Sequence, residues 1–316
     1  MKRLLGMFLI FLLLLSGCSN AVSTKNEKTS DGSKKLQIVT TFYPMYFFAQ
    51  KVAGNSANVE LLVPNGVEPH DWEPTAKDMA RIQDADVFIY NSHYFETWTD
   101  KVLKSINDAN LNVVEASKGI ELMNALESEE GEEDHNHSEH ASSKDPHVWL
   151  SPVLAQQEVN TIAEALEQAD PKNKEQYKKN AEALNLELAD LDRLYKETID
   201  SAKKKEFVTQ HAAFGYLAKQ YGLTQIPIAG LSPDVEPTLG KLAELTELTK
   251  KKNIKIIYFE ELTSSKVAQT LAKEIGAKTE VLNPLEGLSK EEQKEGLDYI
   301  DVMKKNLEAL KLSILE

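Results

Sequence analysis

Cysteine is all but missing from this 316-residue chain: Cys18 stands alone, so no disulfide can form within it. Basic residues are in deficit, 36 Lys and Arg against 50 Asp and Glu. The resulting formal charge of −14 denies the chain the basic face that a nucleic-acid binder needs. The acidity argues only weakly for cation binding, because many proteins are acidic for solubility alone. The apolar run Leu4–Leu15 is too short for a stable membrane span. There is no HExxH or other recognised hydrolytic motif, and no repeat array.

What is present begins at the N-terminus. Lys2 and Arg3 precede the apolar run, and small residues and a cysteine follow it, the order of a secretory signal. Leu15-Ser16-Gly17-Cys18 resembles a bacterial lipobox. It predicts a signal segment over residues 1–18, cleavage before Cys18, and lipid on the cysteine's sulfur and amine; lasting attachment needs more than one acyl chain. Residues 19–35 are small and polar with nothing to bury, and read as a flexible tether. The remaining body of roughly 280 residues suffices for two domains with cores of their own.

Within the body, strands alternate with helical stretches. Strands are expected at 36–41, 59–63, 85–90 and 111–114, with helices at 43–52 and 74–83 between them. The pattern repeats with strands at 206–209, 224–228, 255–259 and 278–282 and helices at 214–221, 237–252 and 264–275, before a closing helix to about Leu312. The fold class is therefore α/β, two lobes each built on a parallel sheet. Tyr177, Ala181, Leu184, Leu188, Leu191, Tyr195 and Ile199 recur at steps of three and four, with Asp170-Pro171 as a start signal. They predict one long linking helix over residues 170–204, close to 50 Å from Pro171 to Lys203 at about 1.5 Å per residue. A helical hairpin is the alternative, but no glycine or proline interrupts the run. The expected division is a first lobe at 36–169, the linking helix, and a second lobe at 205–316, with the rod restricting hinge motion.

Three segments each carry one isolated histidine: VPNGVEPHDWEPTAKD (63–78), DPHVWLSP (145–152) and VTQHAAFGYLAKQYGL (208–223). His70 and His211 fall on loops beyond the carboxyl ends of strands, where open α/β sheets place ligands; His147 has no clear preceding strand. The three lie 77 and 64 residues apart, so a site made from them forms where the lobes meet. Neutral imidazoles suit zinc, copper and nickel, and three of them leave a tetrahedral zinc one ligand short.

The three segments, the lipobox and the two-lobed plan together resemble the cluster A-I metal-binding solute receptors of ABC importers, whose two lobes are joined by a long helix. The chain looks most like the zinc-specific, ZnuA–AdcA-like branch. The resemblance implies Zn2+ as the transported ligand, bound by His70, His147 and His211. In the manganese branch a glutamate is usual where His211 stands here, and imidazole moves the preference towards zinc. For the fourth ligand the resemblance points to Glu286 in VLNPLEGL (281–288), with water as the rival and Asn283 as a residue that could orient the site. Glu68 and Asp145 are outer carboxylates that could accept the far ring N–H of a ligand. The family commonly has Trp-Leu-Asp-Pro where this chain has Trp149-Leu150-Ser151-Pro152, so a carboxylate contact is lost there. Tyr43, Trp72, Trp149 and Phe214 are candidates to line the pocket or to be core, and His93 is held in reserve.

His135, His137 and His140 lie in an acidic, polar loop (125–144) of the kind zinc receptors often carry. Such a tract binds transition metals weakly. The resemblance further implies a monomer on the extracellular face of the cytoplasmic membrane, anchored at Cys18, delivering metal to a membrane permease driven by its ATPase, with no nucleic-acid partner and no catalysis. A manganese receptor, a surface adhesin and a zinc hydrolase are the competing readings.

Overall fold

The computed structural model describes residues 34–106, 110–125 and 144–315. Its first sheet comprises β1 (Leu36–Thr40), β2 (Ala57–Leu61), β3 (Val87–Tyr90) and β4 (Asn112–Glu115), in the order β2-β1-β3-β4, all parallel. Ile38 pairs with Val59 on one side and Val87 on the other, and β3, VFIY, is buried along its whole length, as a central parallel strand should be. The second sheet repeats the plan with β5 (Glu206–Thr209), β6 (Thr224–Pro227), β7 (Ile256–Phe259) and β8 (Lys278–Val281), in the order β6-β5-β7-β8. In each sheet the chain crosses from one side of the first strand to the other. The carboxyl ends of β1 and β3, and of β5 and β7, thus flank the positions where such sheets take ligands.

Helices α1 (Tyr43–Ala53), α2 (Ala76–Gln83) and α3 (Thr99–Ser105) belong to the first half. Pro44 opens α1 and Gly54, at φ 54°, ends it; Thr75 and Asp78 form a capping box at the start of α2. Helix α3 had no counterpart in the sequence pattern.

The expected long helix is present as α5 (Lys174–Asp200), 27 residues or about 40 Å, uninterrupted. Its first turn is not α-helical: Pro171–Asn173 form a separate 3-10 turn, because the Asp170 carboxylate is engaged by Asn173 Nδ2 at 2.6 Å and Tyr177 Oη at 2.9 Å rather than capping the helix. The rod is also not alone. Ser151 and Pro152 start a second helix, α4 (Pro152–Ala169), whose Ser151 Oγ accepts the Leu154 N–H, and α4 runs back antiparallel along α5, with Asn160 bonded to Asn185 at 2.7 Å. Ser151, which stands where relatives carry an aspartate, is therefore a helix cap. The hairpin alternative thus holds outside the predicted run, its turn falling at residues 170–173.

Helix α5 fastens both halves. Its buried stripe is the one read from sequence. Asn180 Nδ2 donates to the Val52 carbonyl of α1 at 2.9 Å, and Tyr195 Oη donates to the Met303 carbonyl at 2.7 Å. Helices α6 (Gly215–Tyr221), α7 (Leu239–Lys251) and α8 (Lys266–Ile275) complete the second sheet's connections. The closing helix is two, α9 (Lys290–Glu295) and α10 (Tyr299–Ile314), separated by Gly296 at φ 71° and restarted by an Asp298–Asp301 capping box. One apolar core runs from Ile38 to Ile314 through α1, α5 and α10, so the lobes share an interior.

Leu188 is fully buried in the α5 stripe, whereas Leu186 is 70% exposed. Leu188→Ala should destabilise the protein by about 2–5 kcal/mol in denaturant titration, and Leu186→Ala by less than about 0.5 kcal/mol.

Candidate metal centre

Four side chains from four separate segments converge between the two sheets. His70 lies in the loop after β2, where both Glu68 oxygens accept its backbone N–H, at 3.0 and 3.1 Å, and its ring meets Phe95 edge-on at 4.7 Å. His147 follows Asp145-Pro146, and the Pro146 carbonyl is held by Asn91 Nδ2 at 2.9 Å from the end of β3. His211 follows β5, its carbonyl gripped by Thr209 Oγ1 at 2.7 Å and Gln225 Nε2 at 2.9 Å.

Glu286 follows β8 on a loop whose backbone is forced to turn. Leu285, fully buried, sits at φ 60°, a left-handed conformation costly for a residue with a side chain. The Asn283 side chain accepts the Leu285 N–H at 2.7 Å, while the side chain and backbone of Asn283 are tied to Glu292 and Asn306 at 2.8 Å. Trp149 donates its indole N–H to the Pro284 carbonyl at 2.8 Å, joining this loop to the His147 segment.

Two of the imidazoles have their tautomer set. His147 Nδ1 lies 2.8 Å from Asp145 Oδ1, and His211 Nδ1 lies 2.5 Å from Glu260 Oε1. With those protons donated outward, both Nε2 atoms present lone pairs inward. They face Glu286 Oε1 at 3.5 and 3.3 Å, and His70 Nε2 stands 3.3 Å from the same oxygen and 3.4 Å from His147 Nε2. A tetrahedral ion with bonds of about 2.0–2.1 Å holds its donors about 3.3–3.4 Å apart. One donor atom from each residue lies within 4.8 Å of all the others, and this is the group of metal-ligating side chains found among the described residues.

The electrostatics carry the same message. Burial alone would depress His211, but Glu260 and Glu286 reverse it and hold the imidazole well above its ordinary value. His147 is likewise lifted against burial by bonds to Asp145 and Glu286. His70, buried without an outer carboxylate on its ring, is lowered. Burial would raise Glu286, yet the surrounding imidazoles hold it well below the usual carboxylate range. Glu68 is pushed up to about 7 by burial and the nearby Glu286.

The structure thus brings together His70, His147, His211 and Glu286. Asp145 stands as expected behind its ligand's ring. Glu68 does not: it serves the His70 backbone instead, because two residues of separation let its carboxylate curl onto the following N–H. Asn283 bonds the loop that carries Glu286. Trp149 packs 5.2 Å from the His147 ring, whereas Trp72 stacks on Trp98, Tyr43 on Phe47 and Phe214 on Phe207, as core. His93 is a surface residue, 3.6 Å from Glu115. Cys18, His135, His137 and His140 lie outside the described residues. Sequence reading missed Phe95 and Glu260. The latter had a usable signal, a carboxylate directly after the strand beside the one that leads to His211.

Two parallel-sheet lobes joined by a backbone helix, with a buried three-imidazole, one-carboxylate cage at their junction, define a helix-linked metal-binding receptor. Residues 38–312 match the model of the ZnuA family, the periplasmic component A of zinc-uptake complexes. The chain is 57% identical to the high-affinity zinc uptake system protein ZnuA of Bacillus subtilis, over 99% of its own length and 98% of that protein. It is 51% identical to the zinc-binding lipoprotein AdcA of Streptococcus pneumoniae over 96% of its own length, but spans only 60% of AdcA. The crystal structure of the Zn(II)-bound ZnuA-like domain of Streptococcus pneumoniae AdcA is similar at a TM-score of 0.77 and 48% identity, covering 90% of this chain and all of that one. The chain belongs to the ZnuA family.

Glu260→Gln keeps the side chain's shape but removes the anion behind His211. Divalent-metal affinity should fall about 10- to 100-fold in competitive titration, with the fold intact by circular dichroism.

Proposed function

We propose that this protein is a receptor, not an enzyme, that captures Zn2+ outside the cytoplasmic membrane through His70, His147, His211 and Glu286. It passes the ion to the permease of an ABC importer driven by its ATPase, acting as a monomer held to the membrane by lipid on Cys18. The observation that carries the reading is the set of donors at tetrahedral spacing, two with their protons pinned to Asp145 and Glu260. Three imidazoles and one carboxylate favour zinc over Mn2+, which prefers more oxygen ligands and a larger coordination number. A catalytic zinc keeps a position open for water, and Glu286 fills that position here. The family match and the zinc-binding relatives support the same conclusion.

The test is metal content of the protein purified without a histidine tag, joined to competitive titration with Zn2+ and Mn2+. Tight zinc binding with Mn2+ a weak competitor is expected; a preference for Mn2+ would overturn the assignment. Glu286→Ala should weaken zinc binding by more than about 100-fold, the upper range for loss of an outer partner alone.

The pKa directions set a pH dependence. His147 and His211 are held above 6.5, so the stability they lend the metal-free protein is present below about pH 6.5 and lost as pH rises through their folded values. Zinc replaces those protons. The rise in melting temperature on adding zinc should therefore be larger at pH 8 than at pH 6 in a thermal shift assay.

The acidic loop bearing His135, His137 and His140 is proposed as a weak collector that loads the tight site. Deleting residues 129–143 should leave equilibrium affinity unchanged and slow loading at scarce zinc. Identical stopped-flow loading kinetics would discard the collector role.

A further inference from the structure

Tyr216 belongs to the second lobe, on α6, yet its hydroxyl is spent on the first. It donates to the Asp145 carbonyl at 2.7 Å and accepts the Met123 N–H at 2.8 Å. Those two residues are neighbours across a small ladder, with Asp145 N–H donating to Met123 O at 3.0 Å and Asn124 bridged to Lys144. One phenol therefore clasps both strands of this ladder at once. Gly215, beside it, solves a problem of space. A Cβ there would lie 2.8 Å from Asp145 Oδ2 and 3.1 Å from Met123 Cε, so a side chain at 215 would have to push the carboxylate away. The other oxygen of that carboxylate, Oδ1, accepts both the His147 backbone N–H, at 3.0 Å, and its ring Nδ1–H, at 2.8 Å. Tyr216 follows His211 by five residues, so the turn that aims one imidazole also carries the hydroxyl that steadies the arm of another.

We propose that Gly215 and Tyr216 are positioning residues of the metal centre: from the opposite lobe they place Asp145, and through it set the tautomer and direction of His147. The inference rests on the zinc-receptor reading. A hydrogen bond that merely stitched the lobes together would affect stability. A positioning role must also affect the ligand field and act through the Asp145 carboxylate.

The full chain is purified as wild type, Tyr216→Phe, Gly215→Ala, Asp145→Ala and the Gly215→Ala/Asp145→Ala double variant. Each is titrated with Zn2+ in competition, and its visible spectrum is recorded with Co2+ in place of zinc. Tyr216→Phe and Gly215→Ala should each lower Zn2+ affinity about tenfold or more and shift the Co2+ bands. In the Asp145→Ala background Gly215→Ala should add no further loss, because the group it displaces is already gone. Folded single variants with wild-type affinity and wild-type Co2+ spectrum would overturn the proposal. So would a Gly215→Ala loss that adds in full to that of Asp145→Ala. If Tyr216→Phe fails to fold, the Gly215→Ala cycle decides alone. Wild-type protein that binds no Zn2+ would overturn the receptor reading itself, whereas wild-type binding beside unaffected variants overturns only the positioning role.

Discussion

The structure turns on one oxygen. Glu286 Oε1 stands 3.3 to 3.5 Å from three imidazole nitrogens, and two of those rings have their N–H groups committed to carboxylates on the far side. Lone pairs aimed at an anion in a buried space repel unless a cation lies among them. A proton can play that part for one pair at a time. A divalent ion satisfies all four donors together, and the tetrahedral spacing suits it to do so.

The fold exists to hold that arrangement against its own repulsion. His211 and Glu260 come from the ends of adjacent strands, β5 and β7, and reach each other across the sheet's switch point. Glu286 is aimed by a left-handed Leu285 that Asn283, Asn306 and Glu292 lock in place. The first lobe contributes His70 and His147 from irregular segments, braced by Glu68, Asn91 and Asp145. Trp149 crosses to Pro284, and α5 is bonded to both lobes, so the four donors are parts of one body with one interior.

Much of this was legible in the sequence because it depends on local pattern. The eight strands followed from short β-branched runs, and the α5 stripe from its three-and-four spacing. The histidines stood out as isolated residues in Pro-flanked loops, and the resemblance pointed to Glu286. Other features left weaker local signals. Helix α4 begins at Ser151-Pro152, a start signal overlooked in favour of the histidine next to it. Gly296 divides the closing helix through a backbone torsion, which composition does not display. Glu260 lies 49 residues from His211, and only the sheet order, with β5 beside β7, makes them neighbours. Glu68 failed for the opposite reason: its nearness in sequence suggested a ring contact, but the turn at Pro69 directs it to the backbone.

The left-handed Leu285 and the converging lone pairs are stored in the protein before any ion arrives. Preassembly moves the expense of bringing donors together out of the binding step and into folding. The empty form is thus a frustrated state, less stable than its core would permit. Substitutions that relax the cage should rank among the stabilising changes for the empty form and among the most damaging for its ability to hold metal.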